Sequence, residues 1–364
     1  MKTIGILTHY QVHNHGAILQ MHGLYHTLEK MGLQPTVLTY RKDFSFIDEK
    51  LTNKYSISLK SIPFYLGYLK EQGIAKTLFN FKKHKQLNDF KKQQYRFAPL
   101  QAQQLDYAVI GSDEVFSLEA GVNIMMYGHT VPAKTVFSYA ASFGQTGLER
   151  IAEKHCTDLI ASGLNTLTAI SVRDQASAQT VQQLTGKMPA MCCDPVLLYG
   201  FEKELAQTVC ALPKRPYLVV YAYDQRLNEL EEIAPIKSFA KKQGLSIISP
   251  GFYHQWADKN LNVTPLELLK VIQGAKYVVT DTFHGSVMSL LLNVPFAVKI
   301  RESNENKIDF LLTSMGGGIA PKLADFTQLK PVITRPINWE AVNQNIQRLR
   351  AEGLAYLKGV MNER

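Results

Sequence analysis

Short apolar runs alternate with longer segments of helical period along the whole chain. In the first half the predicted strands are residues 3–8, 35–40, 106–110, 135–140 and 169–172. In the second half they are residues 217–222, 245–249, 276–280 and 296–299. Helical patterns lie between them, for example at 17–31, 226–243, 264–273 and 286–293. This alternation is typical of βαβ units and predicts an α/β fold with parallel sheets.

The polar stretch ALPKRPY, residues 211–217, contains two prolines and separates the two halves. We therefore predict an N-terminal Rossmann-like domain over 1–210 and a second one over 211–330. A helical pattern follows at 339–360, within a C-terminal segment 331–364. Two doubly wound domains in tandem leave a cleft between the carboxyl ends of their strands, where open α/β sheets bind ligands.

Composition narrows the class of protein. The chain has 364 residues, of which 46% are hydrophobic and 20% charged, as in globular proteins. No apolar run approaches the roughly 20 residues that span a bilayer, and no signal-peptide pattern is present. The four cysteines include an adjacent pair that does not fit a redox or zinc motif. We expect a cytoplasmic protein with reduced thiols.

The net charge of +9 is concentrated in one segment. Residues 41–96 hold 13 Lys or Arg against 5 Asp or Glu, a net charge of +8. One interpretation is a solvated, partly helical insertion. The other is a surface for an anionic partner: the inner leaflet of the membrane, a polyprenyl diphosphate carrier or a phosphorylated substrate. We expect no nucleic acid, because no recognised binding motif accompanies the basic residues.

The sequence TDTFHGS, residues 280–286, joins a predicted strand to a predicted helix. His284 falls at the first turn of that helix, which Asp281 or Thr282 could cap, and Gly285 permits close backbone approach. Such a position faces the cleft, where an imidazole can act as a general acid or base. The structural alternative is a histidine that only caps or packs.

A second junction of this kind is THYQVHNHGAILQ, residues 8–20. Asn14 and the Gly16 N–H could bind a phosphate or a sugar, or could simply form a turn. The three histidines of this stretch lack the spacing of a helical zinc site, so we expect no metal.

Three further segments place polar residues after strands. In DYAVIGSDEVF, Ser112 and Asp113 are candidate sugar contacts, and a helix cap is the structural alternative for Asp113. In AISVRDQAS, Arg173 would suit a carboxylate or phosphate, or a surface ion pair. In VKIRESNENK, Arg301 and Lys307 are candidate cations.

Six stretches in register resemble the polysaccharide pyruvyl transferase family over roughly residues 1–320. They are NHGAILQ, DYAVIGSDEVF, SYAASFG, ISVRDQAS, CCDPVLL and TDTFHGSVMSLLLNVPF. The resemblance implies two domains facing a cleft as in GT-B glycosyltransferases, and a C-terminal helix that returns to the first domain. It also implies transfer of a pyruvyl group from phosphoenolpyruvate to two hydroxyls of a sugar, which is often lipid-linked, without a cofactor.

The resemblance gives roles to particular residues. His284 matches the motif histidine and would be the general acid or base, while Arg173 would hold the carboxylate or phosphate of the donor. Lys307 matches a family lysine with about three extra residues before it, so Arg301 competes for that role. Many members carry Arg where this chain has Thr282, and Arg301 is the expected substitute.

Two alternatives stay open at this point. One is a GT-B glycosyltransferase that uses a nucleotide sugar, with a diphosphate at the start of the helix that carries His284. The other is a non-catalytic sugar-binding or scaffold protein that kept the fold and lost the donor site.

Overall fold

Two parallel sheets form the framework of the protein. The computed structural model describes residues 1–41, 62–102, 104–119, 121–302, 304–316 and 319–362. The first sheet has the order β3-β2-β1-β4-β5-β6-β7. Its strands are β1 Thr3–Leu7, β2 Gln34–Thr39, β3 Phe97–Pro99, β4 Leu105–Asp113, β5 Ala133–Ala141, β6 Ser171–Val172 and β7 Ala190–Met191.

The second sheet has the order β10-β9-β8-β11-β12-β13, and its strand pairs are also parallel. Its strands are β8 Tyr217–Tyr221, β9 Ser246–Pro250, β10 Lys259–Leu261, β11 Tyr277–Thr280, β12 Phe296–Lys299 and β13 Lys322–Leu323. Both orders reverse direction beside the first strand of the sheet, as in doubly wound folds. The predicted α/β class with two Rossmann-like sheets is confirmed.

Helices cover both faces of each sheet. In the first half they are α1 His15–Lys30, α2 Ile62–Gln94, α3 Leu148–Glu153, α4 Thr157–Thr166, α5 Gln175–Thr185, α6 Pro195–Tyr199 and α7 Glu202–Gln207. In the second half they are α8 Leu230–Lys242, α9 Pro265–Gln273, α10 Phe283–Leu291, α11 Glu305–Met315, α12 Leu329–Ile333 and α13 Trp339–Asn362. The predicted helix at 226–243 begins at Leu230, four residues later.

The hydrophobic core has three layers. Each sheet packs an outer cluster of buried side chains against its own helices. The inner faces of both sheets share a third cluster, to which α1, α6 and α13 contribute. Helix α1 is buried on nearly all sides because it contacts its own sheet, α6 and also α9 of the second domain. The cleft is therefore bounded by a closely packed interdomain core.

The last helix, α13, contacts both domains. The Tyr356 hydroxyl donates a hydrogen bond to the Ser138 carbonyl oxygen in the first sheet (2.8 Å). The Asn345 side-chain amide donates to the Met315 carbonyl oxygen at the end of α11 (2.9 Å). The C-terminal segment thus lies against the first domain and also against the second.

The basic segment 41–96 is described from residue 62 onward, and its first part, 42–61, lies outside the described residues. Helix α2 is interrupted at Gly73, whose φ of 75° is left-handed. After Gly73 two lysines turn inward: Lys83 and Lys91 are each only 6% exposed. Burial lowers the pKa of Lys91 to about 8. The segment is therefore not uniformly solvated.

Each helix in the described ranges is too short or too polar to cross a lipid bilayer. All four cysteines fall in these ranges, and none forms a disulfide.

Candidate active site

The carboxyl ends of the two sheets face one cavity of about 420 Å³. Both domains supply its walls, and most of the lining side chains are polar or aromatic. The lining residues are His9, Val12, Asn14, Ala17, Asp113, Glu114, Ser117, Glu119, Gln145, Arg173, Tyr221, Tyr223, Arg226, Phe252, Asp281, Thr282, Phe283, His284, Asn304 and Lys307. The predicted cleft site therefore corresponds to a formed cavity.

The His284 turn is built by threonines. The Thr282 hydroxyl caps α10 by accepting a hydrogen bond from the Gly285 N–H (2.9 Å). A Cβ on Gly285 would lie 2.1 Å from the hydroxyl oxygen of Thr280, so only glycine fits here. His284 is consequently held at the second helical position, at the edge of the cavity.

His284 faces the start of α1 across the domain boundary. A Cβ on Gly16 would lie 2.4 Å from Cγ of His284, so the imidazole occupies the space that a larger residue 16 would need. Its Nε2 lies 3.6 Å from Oδ2 of Asp194, which caps α6 in the first domain. The His284 side chain is 12% exposed. The ring is therefore enclosed by the first domain on two sides.

Arg173 is the centre of a buried cluster of charges. Its Nη2 donates to Oδ1 of Asp113 (2.9 Å) and its Nη1 to Oδ2 of Asp194 (3.0 Å). The guanidinium also lies 4.7 Å from the ring centre of Phe283, a favourable cation–π distance. The Arg173 side chain is only 3% exposed, so little of it is left for a substrate anion.

Both carboxylates of this cluster are stabilised in the charged form. Burial alone would raise the pKa of Asp194, but its contact with His284 and the charge of Arg173 outweigh burial and lower that pKa. The pKa of Asp113 is also lowered, because Arg173, His284 and His9 outweigh the effect of burial. Asp113 is thus an anionic hydrogen-bond acceptor that faces the cavity and is too weak a base to take up protons at neutral pH.

Two other cations in the cavity also lie beside carboxylates. Lys307, on α11, forms an ion pair with Glu114 of the first domain. Arg226 lies 3.5 Å from Oδ2 of Asp281. The pKa of Asp281 is raised, because burial outweighs the nearby arginines. Lys307 and Glu114 thus pair across the cleft, whereas Arg226 and Asp281 pair within the second domain.

Four predicted site residues do not line the cavity. Arg301 donates to Asp281 (2.9 Å) and to Glu232 (3.0 Å), so it supports the turn below His284, and its expected role in place of the family arginine stays a prediction. The Ser112 hydroxyl donates to the Ala140 carbonyl oxygen (2.9 Å) and is buried. The N–H groups of Gly16 and Gly285 are taken by the caps of their own helices.

The other predicted residues lie at the cavity: Asn14, Asp113, Arg173, Thr282, His284 and Lys307. Asn14 caps α1 through its Oδ1 and donates from Nδ2 to the hydroxyl of Tyr223 (3.2 Å), which links the two domains. The Gly16 N–H already donates to Asn14 Oδ1, so a phosphate or sugar contact through it stays a prediction. Asp113 is not a helix cap, since its carboxylate accepts from Arg173.

The histidines of residues 8–20 point in different directions. His13 contacts Asn88 (3.0 Å), and His15 contacts the Val263 carbonyl oxygen (2.8 Å). Burial lowers the pKa of both to about 4. In the described ranges, no group of three or more His, Cys, Asp or Glu side chains is arranged to hold a metal ion.

Comparison with known sequences decides the family. The chain matches the polysaccharide pyruvyl transferase family over residues 14–301. It belongs to this family. It is accordingly a transferase, of the kind that modifies polysaccharides. No curated protein matches the chain.

Known structures similar to this family member have the GT-B fold, which the chain shares. One is the glycotransferase of kitacinnamycin (14% identity, TM-score 0.52, covering 97% of this chain and 96% of that chain). Another is UDP-GlcNAc 2-epimerase from Neisseria meningitidis (10% identity, TM-score 0.52, complete coverage of both chains). A third is the spinosyn rhamnosyltransferase (11% identity, TM-score 0.52, complete coverage).

Sequence reasoning missed several residues of the site. Asp194 stood in the motif CCDPVLL, where an Asp-Pro pair after a short strand is a signal for a helix start. Tyr223 and Arg226 follow β8 at the carboxyl edge of the second sheet. Arg173 holds the equivalent position after a strand of the first sheet. Their place after a strand was the available signal.

Proposed function

We propose that the protein transfers a pyruvyl group from phosphoenolpyruvate to two hydroxyls of a sugar in a polysaccharide or lipid-linked precursor. The observation that carries this proposal is the pair of His284 and Asp194, which brings an imidazole and its carboxylate partner together in a cavity that also holds cationic side chains. Family membership supports the reaction class.

In the proposed reaction the C3 methylene of phosphoenolpyruvate takes up a proton, and C2 becomes electrophilic. One sugar hydroxyl adds to C2, the bond from C2 to the phosphate oxygen breaks, and a second hydroxyl closes the ketal. The two hydroxyls release two protons. One balances the proton taken by C3 and the other leaves with the phosphate.

His284 is the residue we propose for this proton transfer, as general acid or base. Asp194 is a positioning residue, because a carboxylate beside Nε2 favours the tautomer with its proton on that nitrogen. Asp113 would accept a hydrogen bond from a sugar hydroxyl.

Lys307 and Arg226 are the cations we propose for the anionic donor. Arg173 instead organises the two carboxylates and Phe283, since its guanidinium is almost fully enclosed. Because Glu114 pairs with Lys307 in the cavity, we expect the donor phosphate to compete with this carboxylate for the lysine.

The direct test is to incubate the protein with phosphoenolpyruvate and a set of sugar acceptors, and to measure acceptor-dependent phosphate release and ketal formation. Lys307→Gln should raise KM for phosphoenolpyruvate about 10-fold or more, since a charge-assisted contact is lost. Lys322→Gln is a matched control, because Lys322 forms a surface ion pair with Asp309 outside the cavity. Equal KM values for the two variants would contradict the role of Lys307.

Ligand-induced stabilisation separates this proposal from a nucleotide-sugar transferase. A ligand at 100 times its Kd stabilises the folded state by about 2.7 kcal/mol. Phosphoenolpyruvate should therefore raise Tm, whereas UDP and GDP should not. Stabilisation by a nucleoside diphosphate alone, with no ketal formed from phosphoenolpyruvate, would overturn the proposed donor.

A further inference from the structure

The part of α2 that follows Gly73 has an apolar outer face. Ile74, Leu78 and Phe81 are 72%, 55% and 70% exposed. Their spacing of four and three residues places them on one side of the helix. Large apolar side chains exposed together in this way mark an interaction site more often than isolated ones do.

The opposite face of the same helix is anchored to the second domain. The Asn80 side chain donates to Oδ2 of Asp224 (3.1 Å), and the ring of Phe79 packs against Tyr253. Lys83 lies 5.0 Å from the ring centre of Phe252, which lines the cavity. The orientation of the helix is thus fixed, and its apolar side faces outward.

Positive charge continues this outer face along the helix. Lys82, Lys85 and Lys92 are exposed there, with Asp89 as the acidic residue among them. A shallow groove of about 340 Å³ runs beside Lys82 and Lys85, and Gln86, Asp89 and Gln93 also line it. Lysine and amide side chains of this kind suit the phosphate groups of lipids.

We propose that the outer face of α2 from Ile74 to Lys92 docks on an anionic membrane surface. The apolar residues would enter the boundary between headgroups and acyl chains, and the lysines would contact the headgroups, as in interfacial helices. A second copy of the chain fits less well, because a symmetric contact would bring the lysines of one copy near those of the other.

Docking in this orientation places the cavity next to the membrane, since the inner face of α2 contacts Phe252. An acceptor sugar carried on a lipid would then lie near His284. This consequence rests on the proposed function, whereas the docking surface itself does not.

The experiment measures binding of the full chain to vesicles by sedimentation, with neutral phosphatidylcholine vesicles and with vesicles that also contain phosphatidylglycerol. The apolar variant replaces Ile74, Leu78 and Phe81 with Ser, and the lysine variant replaces Lys82, Lys85 and Lys92 with Gln. The two control variants carry the same changes on exposed residues elsewhere. The apolar control carries Met188→Ser, Val209→Ser and Leu230→Ser. The lysine control carries Lys241→Gln, Lys242→Gln and Lys276→Gln.

The wild type should bind anionic vesicles more tightly than neutral ones, and less tightly in high salt. Each lysine near an anionic surface raises the binding affinity by a factor of about 5, so the lysine variant should bind about 100-fold more weakly. The apolar variant should lose at least about 10-fold. Both controls should bind as the wild type does.

Equal loss in the controls, or equal binding to neutral and anionic vesicles, would overturn the proposal. The proposal would also be overturned if the wild type bound no vesicles and instead formed a dimer in size-exclusion chromatography. If the apolar variant abolished that dimer, a second copy of the chain would occupy the face. Ketal formation on a water-soluble acceptor should be the same in the wild type and both docking variants, so failure of the docking surface is distinguishable from failure of the proposed reaction.

Discussion

The starts of helices α1 and α10 face each other across the cleft. Each carries a histidine, but His15 is the first residue of its helix and His284 is the second residue of its helix. Asn14 caps α1 and Thr282 caps α10, each with a side-chain oxygen that accepts a backbone N–H. At the first helical position stand His15 and Phe283, and each contacts the opposite domain: His15 the Val263 carbonyl oxygen, Phe283 the guanidinium of Arg173. Gly16 and His284 occupy the second helical position, and these two residues are in contact.

The comparison shows why the same local pattern gives two different histidines. Neighbouring residues of a helix point about 100° apart. His15, at the first position, is directed into the interdomain core and is fully buried, whereas His284, at the second, reaches the cavity. The chemistry open to a histidine at such a junction depends on this single step along the helix.

The largest expected effect separates these two histidines. His284→Gln should lower kcat by about 10²–10⁴-fold, the usual contribution of a general acid or base, with Tm little changed. His15→Ala should instead reduce the free energy of unfolding by about 2–4 kcal/mol, because it leaves a cavity and an unpaired carbonyl oxygen. Steady-state kinetics and urea unfolding of both variants measure these two effects. If His15→Ala lowered kcat per folded molecule as much as His284→Gln does, the two histidines would not have different roles.

Gly16→Ala sharpens the same comparison from the other side. The added Cβ would lie 2.4 Å from Cγ of His284, so the imidazole must move. A displacement of about 1 Å in a reacting group can cost about 10²-fold in rate, and we expect a loss of kcat of that order.

Gly359→Ala is the control for this change, since a Cβ there meets nothing within 4 Å in helix α13. It should stabilise the protein by about 0.5–1 kcal/mol and leave kcat as in the wild type. If Gly16→Ala is as active as Gly359→Ala, the close contact does not position the histidine.

The buried carboxylates of the two domains should respond to pH in opposite directions. The pKa of Asp194 is lowered, so its contribution to stability is present above about pH 4 and is lost as the pH falls through its folded pKa. The pKa of Asp281 is raised, so its contribution is largest below about pH 4 and is lost as the pH rises through its folded pKa.

Urea unfolding between pH 7 and pH 3 tests this prediction. Relative to the wild type, Asp194→Asn should be most destabilised at pH 7 and less so in acid, whereas Asp281→Asn should become more destabilised as the pH falls. The same pH slope for both variants would contradict the opposite pKa shifts.

The smallest effect concerns Ser112, which was predicted as a substrate contact. Its hydroxyl donates to the Ala140 carbonyl oxygen inside the first domain. Ser112→Ala should therefore cost about 1 kcal/mol of stability and leave kcat and KM unchanged. A clear rise in KM for the acceptor would contradict this expectation and indicate that Ser112 contacts the substrate.

The sequence predicts the longer strands and the two-domain class because each buried parallel strand is a continuous apolar run. It does not predict the edge strands β3, β7, β10 and β13, since two or three residues carry too little pattern. It places Arg301 after a strand but cannot show that Asp281 and Glu232 hold its side chain. In the same way, the contact of His284 with Asp194 joins residues 90 positions apart and depends on how the domains pack.

His284 belongs to the second domain, and both Asp194 and Gly16 belong to the first. The oriented imidazole thus exists only while the domains are closed. A rotation that widened the cleft by a few ångströms would leave the histidine without its carboxylate and its wall. Any such widening would therefore abolish the arrangement that the proposed proton transfer needs.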